Sequence, residues 1–102
     1  MTLRFAREAS RELREATQWY EGQQPGLGDR FLEEVWEILE LIQQHPAAFP
    51  VLQKPAELRI RRALLPRFPY ALVFFELEEE LRVIAVAHVR RRPGYWLYRI
   101  RS

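Results

Sequence analysis

The segment from about Arg30 to Gln44 constrains the fold more than any other, because its apolar residues follow a helical period. At about 100° per residue, its apolar side chains cover an arc about 160° wide from Ile38 through Phe31 to Trp36, and its glutamates lie opposite. A helix resting on a single surface needs a stripe only a little wider than about 100°. We therefore expect this helix to contact both a second helix and a sheet, and His45 and Pro46 to end it.

A second helix is predicted upstream, from Arg7 to about Glu21. Its apolar residues recur at spacings of four, three and four: Ala9, Leu13, Ala16 and Tyr20. The glycine-rich segment 22–28 breaks this helix, and Asp29 is the candidate N-cap of the next one. Before both helices, Thr2–Phe5 has the alternating pattern of a first or edge strand.

Three β-type segments follow a proline-bearing loop: Glu57–Leu65, Tyr70–Leu77 and Leu81–Arg90. Two prolines separate the first pair, and three consecutive glutamates form the turn between the second pair. The predicted order is β-α-α-β-β-β, an α+β fold in which a helical hairpin packs on a mostly antiparallel sheet. We expect residues 1–102 to form one domain.

Strict alternation along the strands predicts which side chains face away from the helices. That open face would carry Arg59, Arg61, Arg82, Ile84, Val86, His88 and Arg90. Two helices can cover only one face of a sheet, and the middle strand is apolar in both phases. Some apolar surface should therefore stay uncovered, which suggests a protein partner.

Charge is divided unevenly along the chain. Residues 1–53 carry 5 Arg against 9 Asp and Glu, a balance of −4, and residues 54–102 carry 11 Lys and Arg against 5 Glu, a balance of +6. Such a split suggests that the second half meets a polyanion or an acidic protein. The candidate binding residues are Arg59, Arg61, Arg62, Arg67, Arg90, Arg91 and Arg92.

Clustered guanidinium groups bind phosphate oxygens and offset the charge of a phosphoryl-transfer transition state. His88 or Tyr95 could move the proton, so the set suits RNA cleavage by the substrate's own 2′-hydroxyl. It suits passive binding of nucleic acid or of an acidic protein equally well. The alternative for Arg59, Arg61 and Arg62 is an ordinary solvated strand face.

Other chemistries lack their usual patterns. The chain has no cysteine, which excludes disulfides and thiolate metal sites, and it has no glycine-rich phosphate loop. His45 and His88 are isolated, so we expect neither a metal nor a cofactor. There is no signal-like apolar stretch at the N-terminus and no run near the length of a membrane span, so we expect a cytoplasmic protein without membrane contact.

Several motifs together resemble a known family. They are F-A-x-E-A-x-x-E-L at 5–13, W-Y-E at 19–21, P-G-L-G at 25–28, R-R-A-L-L-P-R-F-P-Y at 61–70 and V-I-A-V-A-H-V-R-R-R-P-x-Y-W at 83–96. The chain resembles the RelE/ParE toxins of bacterial type II toxin–antitoxin systems nearly from end to end. The most specific parts are R-F-P-Y and the H-x-x-R-x-P-x-x-W ending.

The resemblance implies a toxin that a cognate antitoxin, ParD-like or similar, holds inactive by wrapping across the helices and the sheet. Candidates for that interface are Trp19, Tyr20, Trp36, Ile84 and Val86. ParE-like members inhibit DNA gyrase, whereas RelE-like members are endoribonucleases that cut mRNA on the ribosome. The chain has only one lysine, Lys54, and this scarcity, like the two specific motifs, favours the ParE-like branch.

On the RelE-like alternative, the resemblance assigns the catalytic roles to His88, Arg61, Arg91 and Tyr95. Whether the chain is an enzyme therefore depends on the branch. A second alternative is a non-toxic module that binds nucleic acid or protein.

Overall fold

The computed structural model describes residues 2–52 and 58–100. Its elements are β1 (Thr2–Phe5), α1 (Arg7–Gln23), α2 (Leu27–Gln44), β2 (Arg61–Leu64), β3 (Tyr70–Leu77) and β4 (Glu80–His88). Short 3₁₀ helices occupy Pro46–Ala48 and Leu97–Ile100. This order confirms the predicted α+β fold, and β1 and β3 have the predicted bounds. The strand predicted at Glu57–Leu65 is shorter, Arg61–Leu64, and Glu57 lies outside the described residues. No helix of the described ranges is long and apolar enough to cross a membrane.

The four strands form one sheet in the order β1-β4-β3-β2. β1 lies at the edge and runs parallel to β4, with Thr2 opposite Glu80 and Phe5 opposite Val83. The other neighbours are antiparallel. A parallel pair needs a long crossover connection, and the helical hairpin belongs to that crossover.

The turn between the helices differs from the prediction. α2 begins at Leu27, and the preceding residue is Gly26, whose φ of 89° lies in the left-handed region that glycine adopts without strain. The carboxylate of Glu21, near the end of α1, accepts the N–H groups of Gly26 at 3.0 Å and Gly28 at 3.0 Å. The predicted N-cap, Asp29, is wrong: it lies in the first turn of α2. A side chain from α1 satisfies these amide groups instead.

A β-bulge changes which residues of β4 face the helices. Val73 is opposite Ala85 but Phe74 is opposite Val83, so Ile84 is an extra residue in β4. Beyond it the alternation inverts, and Val86 packs in the core between helices and sheet. The alternation prediction was therefore wrong beyond this point, because counting by twos assumes that every residue is paired.

The sheet has an apolar core on both faces. Towards the helices, α2 packs Phe31, Val35, Leu39 and Ile42 against the two central strands. On the opposite face lies a second cluster of Ile60, Val73, Phe75, Ile84, Ala85 and Ala87. Trp96, only 5% exposed, covers it from the segment that follows β4. The expected bare apolar face is therefore wrong for the central strands, because the chain's own C-terminal segment covers them.

Candidate functional site

One end of the sheet gathers most of the predicted basic residues. Tyr70 pairs with His88, and the N–H of Val89 donates to the carbonyl of Pro69 at 2.9 Å. The β2–β3 turn and the chain leaving β4 are thus held side by side. This basic end consists of Arg62, Arg67, His88, Arg90, Arg91 and Arg92.

Arg59 and Arg61 lie elsewhere. Arg61 pairs with Phe74, four residues along β3 from Tyr70, or about 13 Å of strand. Its Nη1 donates to the carbonyl oxygens of Phe49 at 2.6 Å and Ala47 at 3.5 Å, which fastens the loop after α2. Arg59 lies before β2 with a φ of 50°. The prediction that Arg61 points to the open face was wrong, since its pairing partner, Phe74, belongs to the core under the helices.

His88 is held by two contacts at the end of β4. Its Nδ1 accepts the N–H of Arg90 at 3.1 Å, so the neutral ring carries its proton on Nε2. The ring meets Tyr70 edge-on, with 5.1 Å between ring centroids. His88 is half-buried, and these contacts fix its orientation at the basic end.

A partly buried carboxylate on α1 fastens the C-terminal segment. Oε1 of Glu12 accepts the N–H of Val86 at 3.0 Å and Nη1 of Arg99 at 2.9 Å. Oε2 accepts the hydroxyl of Tyr95 at 2.6 Å and Nη2 of Arg99 at 2.9 Å. Arg99, with its side chain 6% exposed, also donates to the carbonyl of Ile84 at 2.9 Å. We call these groups the Glu12 cluster.

Protonation within the Glu12 cluster follows from its geometry. Burial raises the pKa of Glu12, but the hydrogen bonds from Arg99, Tyr95 and Val86 together outweigh it and leave that pKa below its ordinary value. Burial, then the hydrogen bond to Glu12 and its charge, raise the pKa of Tyr95 despite the nearby arginines. The Tyr95 hydroxyl therefore stays protonated at neutral pH and anchors the segment.

Glu12 and Arg99 were not identified from the sequence. Glu12 fits the pattern of a solvated helix flank, and the two residues are 87 positions apart. No local signal connects them. Arg91 joins the same group: its Nη1 is 3.7 Å from Oε2 of Glu12, and its guanidinium lies 3.7 Å from the centre of the Tyr95 ring.

A small basic pocket opens on the face opposite the helices. Arg62, His88, Arg91 and Arg92 line it above a floor of small apolar residues and Trp96, and its volume is about 100 Å³. The prediction that the His88 side chain faces away from the helices was wrong, because its ring lies on the helix side of the sheet against Tyr70. Among the described residues that line it, none is Asp or Glu. The arrangement can hold an anionic group.

In the described ranges, no three His, Asp or Glu side chains form a group that could hold a metal ion.

The family follows from a comparison with protein-family models. The model described as the ParE toxin of type II toxin–antitoxin system, parDE, matches residues 3–93. The chain belongs to the ParE toxin family. Membership of a toxin–antitoxin system implies an antitoxin as partner. The match covers both helices, the basic end, β1 from Leu3 onward, and β2, β3 and β4.

A solved structure with a similar fold is that of the chromosomal ParDE toxin–antitoxin system from P. aeruginosa. The TM-score is 0.73 at 19% sequence identity, covering 86% of this ParE-family chain and 95% of the other. At that identity the likeness concerns the fold. No curated protein matches this chain in sequence.

The residues predicted for an antitoxin interface differ in exposure. Trp19 and Trp36 are 59% and 50% exposed on the helices of this ParE-family chain. Tyr20 is buried against Phe31 and Phe68, and Ile84 and Val86 are also buried. Trp19 also lines a groove of about 230 Å³ between α1 and the end of β4, with Tyr70, His88 and Arg91.

Proposed function

We propose that this ParE-family chain inhibits DNA gyrase through its basic end and that a cognate antitoxin neutralises it over its helices. The observation that carries the proposal is the match of the ParE toxin model to residues 3–93. The geometry adds a reason to prefer a binding function: three exposed arginines of the basic end, Arg62, Arg91 and Arg92, line a pocket that none of the described acidic residues lines.

The positions of the predicted catalytic residues argue against RNA cleavage. Arg61 donates to backbone carbonyls of the loop after α2, away from the basic end. The Tyr95 hydroxyl donates to Glu12. A general acid or base has to reach the reacting group with a pKa near the working pH. The raised pKa of Tyr95 makes it unsuited to that role.

His88 and Arg91 do lie together at the basic pocket. Ribosome-dependent mRNA cleavage with His88 as proton carrier is therefore the alternative, and a non-toxic binding module is the second.

The decisive experiment measures supercoiling of relaxed plasmid by gyrase with and without the purified protein. We expect loss of supercoiling or trapped cleaved DNA. Arg92→Ala should raise the inhibitory concentration by about tenfold, because one charge-assisted contact supplies about 1.5 kcal/mol. Arg14→Ala, a matched exposed arginine on α1, should leave it unchanged.

Growth arrest separates the alternatives. If induced wild-type protein arrests growth while gyrase is unaffected in vitro, and His88→Ala abolishes the arrest without unfolding the protein, mRNA cleavage replaces gyrase as the target. If growth continues although folded protein accumulates, the chain is a non-toxic binding module.

A further inference from the structure

We propose that the basic pocket binds a backbone phosphate of duplex DNA, so that the toxin recognises gyrase with DNA bound to it. The inference names the ligand of the basic end and rests on the proposed function for its link to gyrase. Its binding step can be tested without gyrase.

The positive charge of the arginines around the pocket favours an anionic ligand. Arg62 comes from β2, and Arg91 and Arg92 come from the chain leaving β4, so guanidinium groups approach the space from two sides. Glu12, the carboxylate nearest Arg91, already accepts hydrogen bonds from Arg99 and Tyr95, so it offsets Arg91 only weakly. Guanidinium groups match phosphate oxygens in both geometry and charge.

The pocket is large enough for a single phosphate group but too small for a whole small-molecule ligand. Pockets for small molecules and cofactors measure about 300 Å³ or more. A volume of about 100 Å³ is too small for a nucleotide but accepts a phosphate group. A phosphate that is presented by a polymer needs no deeper cavity, because the rest of the polymer stays in solvent.

The aromatic residues near the pocket favour duplex over single-stranded nucleic acid. Proteins that bind single strands stack the bases on exposed aromatic rings. Here Trp96 is only 5% exposed, and the guanidinium of Arg91 covers the Tyr95 ring at 3.7 Å. No open stacking surface lines the pocket among the described residues. A duplex presents phosphates without unstacked bases, which fits this arrangement.

The wall of the pocket is held in place before a ligand arrives. Gly94 has a φ of 80°, and the N–H of Tyr95 donates to the carbonyl of Arg92 at 3.2 Å. The hydrogen bond from the Tyr95 hydroxyl to Glu12 also holds this segment in place. A preformed wall avoids the entropy cost of ordering the loop on binding.

The first test measures binding of the purified protein to a short fluorescent DNA duplex by anisotropy, between about 50 and 200 mM salt. We expect affinity to fall with salt, with a log–log slope of about −0.9 for each phosphate contacted. Arg62→Ala and Arg92→Ala should each weaken binding and reduce the slope by about 1. Arg14→Ala should change neither quantity. All three side chains are exposed, so thermal unfolding should be the same in each variant.

Three outcomes would overturn the inference. They are no duplex binding at low salt, equal loss of binding in Arg14→Ala, and stronger binding of single-stranded DNA or RNA of the same length.

Gyrase assays then test the link to the target. If Arg62→Ala and Arg92→Ala lose DNA binding and inhibition together, DNA contact is part of target recognition. If they lose DNA binding but inhibit gyrase undiminished, that part of the inference is wrong. If wild-type protein binds DNA through these arginines and never inhibits gyrase, the DNA site stands and the proposed function fails.

Discussion

Glu12 connects three parts of the chain through a single carboxylate. It lies on α1 and accepts hydrogen bonds from β4 at Val86 and from the C-terminal segment at Tyr95 and Arg99. The side chains of Glu12 and Arg99 are 13% and 6% exposed, so both charges are largely removed from water. Such a pair stabilises little relative to apolar residues, but losing one partner leaves the other charge uncompensated.

We expect Glu12→Gln to lower the free energy of unfolding by about 3 kcal/mol, because the neutral amide leaves the Arg99 charge unbalanced. Glu15→Gln, an exposed change on the same helix, should alter it by less than about 0.5 kcal/mol. Urea unfolding at neutral pH measures both. Equal effects of the two variants would show that Glu12 has no special role.

The same carboxylate should make stability depend on acidity. The pKa of Glu12 in the folded chain lies below its ordinary value of 4.5. Its contribution is therefore complete above that ordinary value and disappears as the pH falls through the folded-state pKa. The stability difference between wild type and Glu12→Gln should shrink as the pH is lowered from about 7 to about 3. A constant difference in urea unfolding across this range would contradict the assignment.

Among the elements, the helical hairpin depends on a close approach at Gly28. A Cβ atom at this position would lie 2.8 Å from the carbonyl oxygen of Thr17 and 3.0 Å from Cβ of Glu21. Gly28→Ala should therefore push the helices apart and destabilise the protein by about 1–3 kcal/mol. A Cβ atom at Gly22 in α1 would have no atom within 4 Å. Gly22→Ala should therefore stabilise the protein by about 0.5–1 kcal/mol. Thermal unfolding distinguishes the two signs, and stabilisation by both changes would disprove the close contact.

The C-terminal segment acts as the cover of the second core. Trp96→Ala should cost about 3–5 kcal/mol, because it uncovers the apolar cluster on the open face of the sheet. Tyr98→Ala, at 60% exposure in the same segment, should cost less than about 1 kcal/mol. Chemical unfolding and binding of a hydrophobic dye provide the measurements. A small effect of Trp96→Ala would mean that the segment does not cover this face in solution.

At the scale of the whole molecule, the exposed tryptophans and the arginines of the basic pocket occupy different parts of the surface. Trp36 projects from α2 and Trp19 from α1, whereas Arg62, Arg91 and Arg92 line the basic pocket on the other face of the sheet. One side therefore suits a partner with apolar anchors, and the basic end suits an anion. The two surfaces adjoin at the groove where Trp19 lies with His88 and Arg91.

We expect Trp19→Ala and Trp36→Ala each to weaken binding of the cognate antitoxin by about thirtyfold, as for interface residues worth about 2 kcal/mol. Thermal unfolding should not change, because both rings are at least half exposed. Tyr98→Ala, a similarly exposed aromatic change in the C-terminal segment, is the control. Titration calorimetry with the purified antitoxin measures the affinities. Three equal effects, or none, would exclude the helices as the interface.

Local signals were enough for the order and type of the elements. The apolar periods of α1 and α2 and the bounds of Tyr70–Leu77 could be predicted because helices and strands are specified by neighbours a few positions apart. The uneven charge likewise identified the second half as the place of the basic surface. The first residues of β2 and the cap of α2 could not be predicted, since a sheet pairing and hydrogen bonds to the Glu21 carboxylate decide them.

The sequence by itself determined the fold class, the family and the basic character of one half, all of which depend on residue type and local order. Only the tertiary structure decided which of those residues meet. The bulge at Ile84 turned Val86 towards the helices, and Arg61 was directed to the loop carbonyls. Glu12 and Arg99 became partners across 87 residues. Such contacts depend on the path of the whole chain, which no local pattern records.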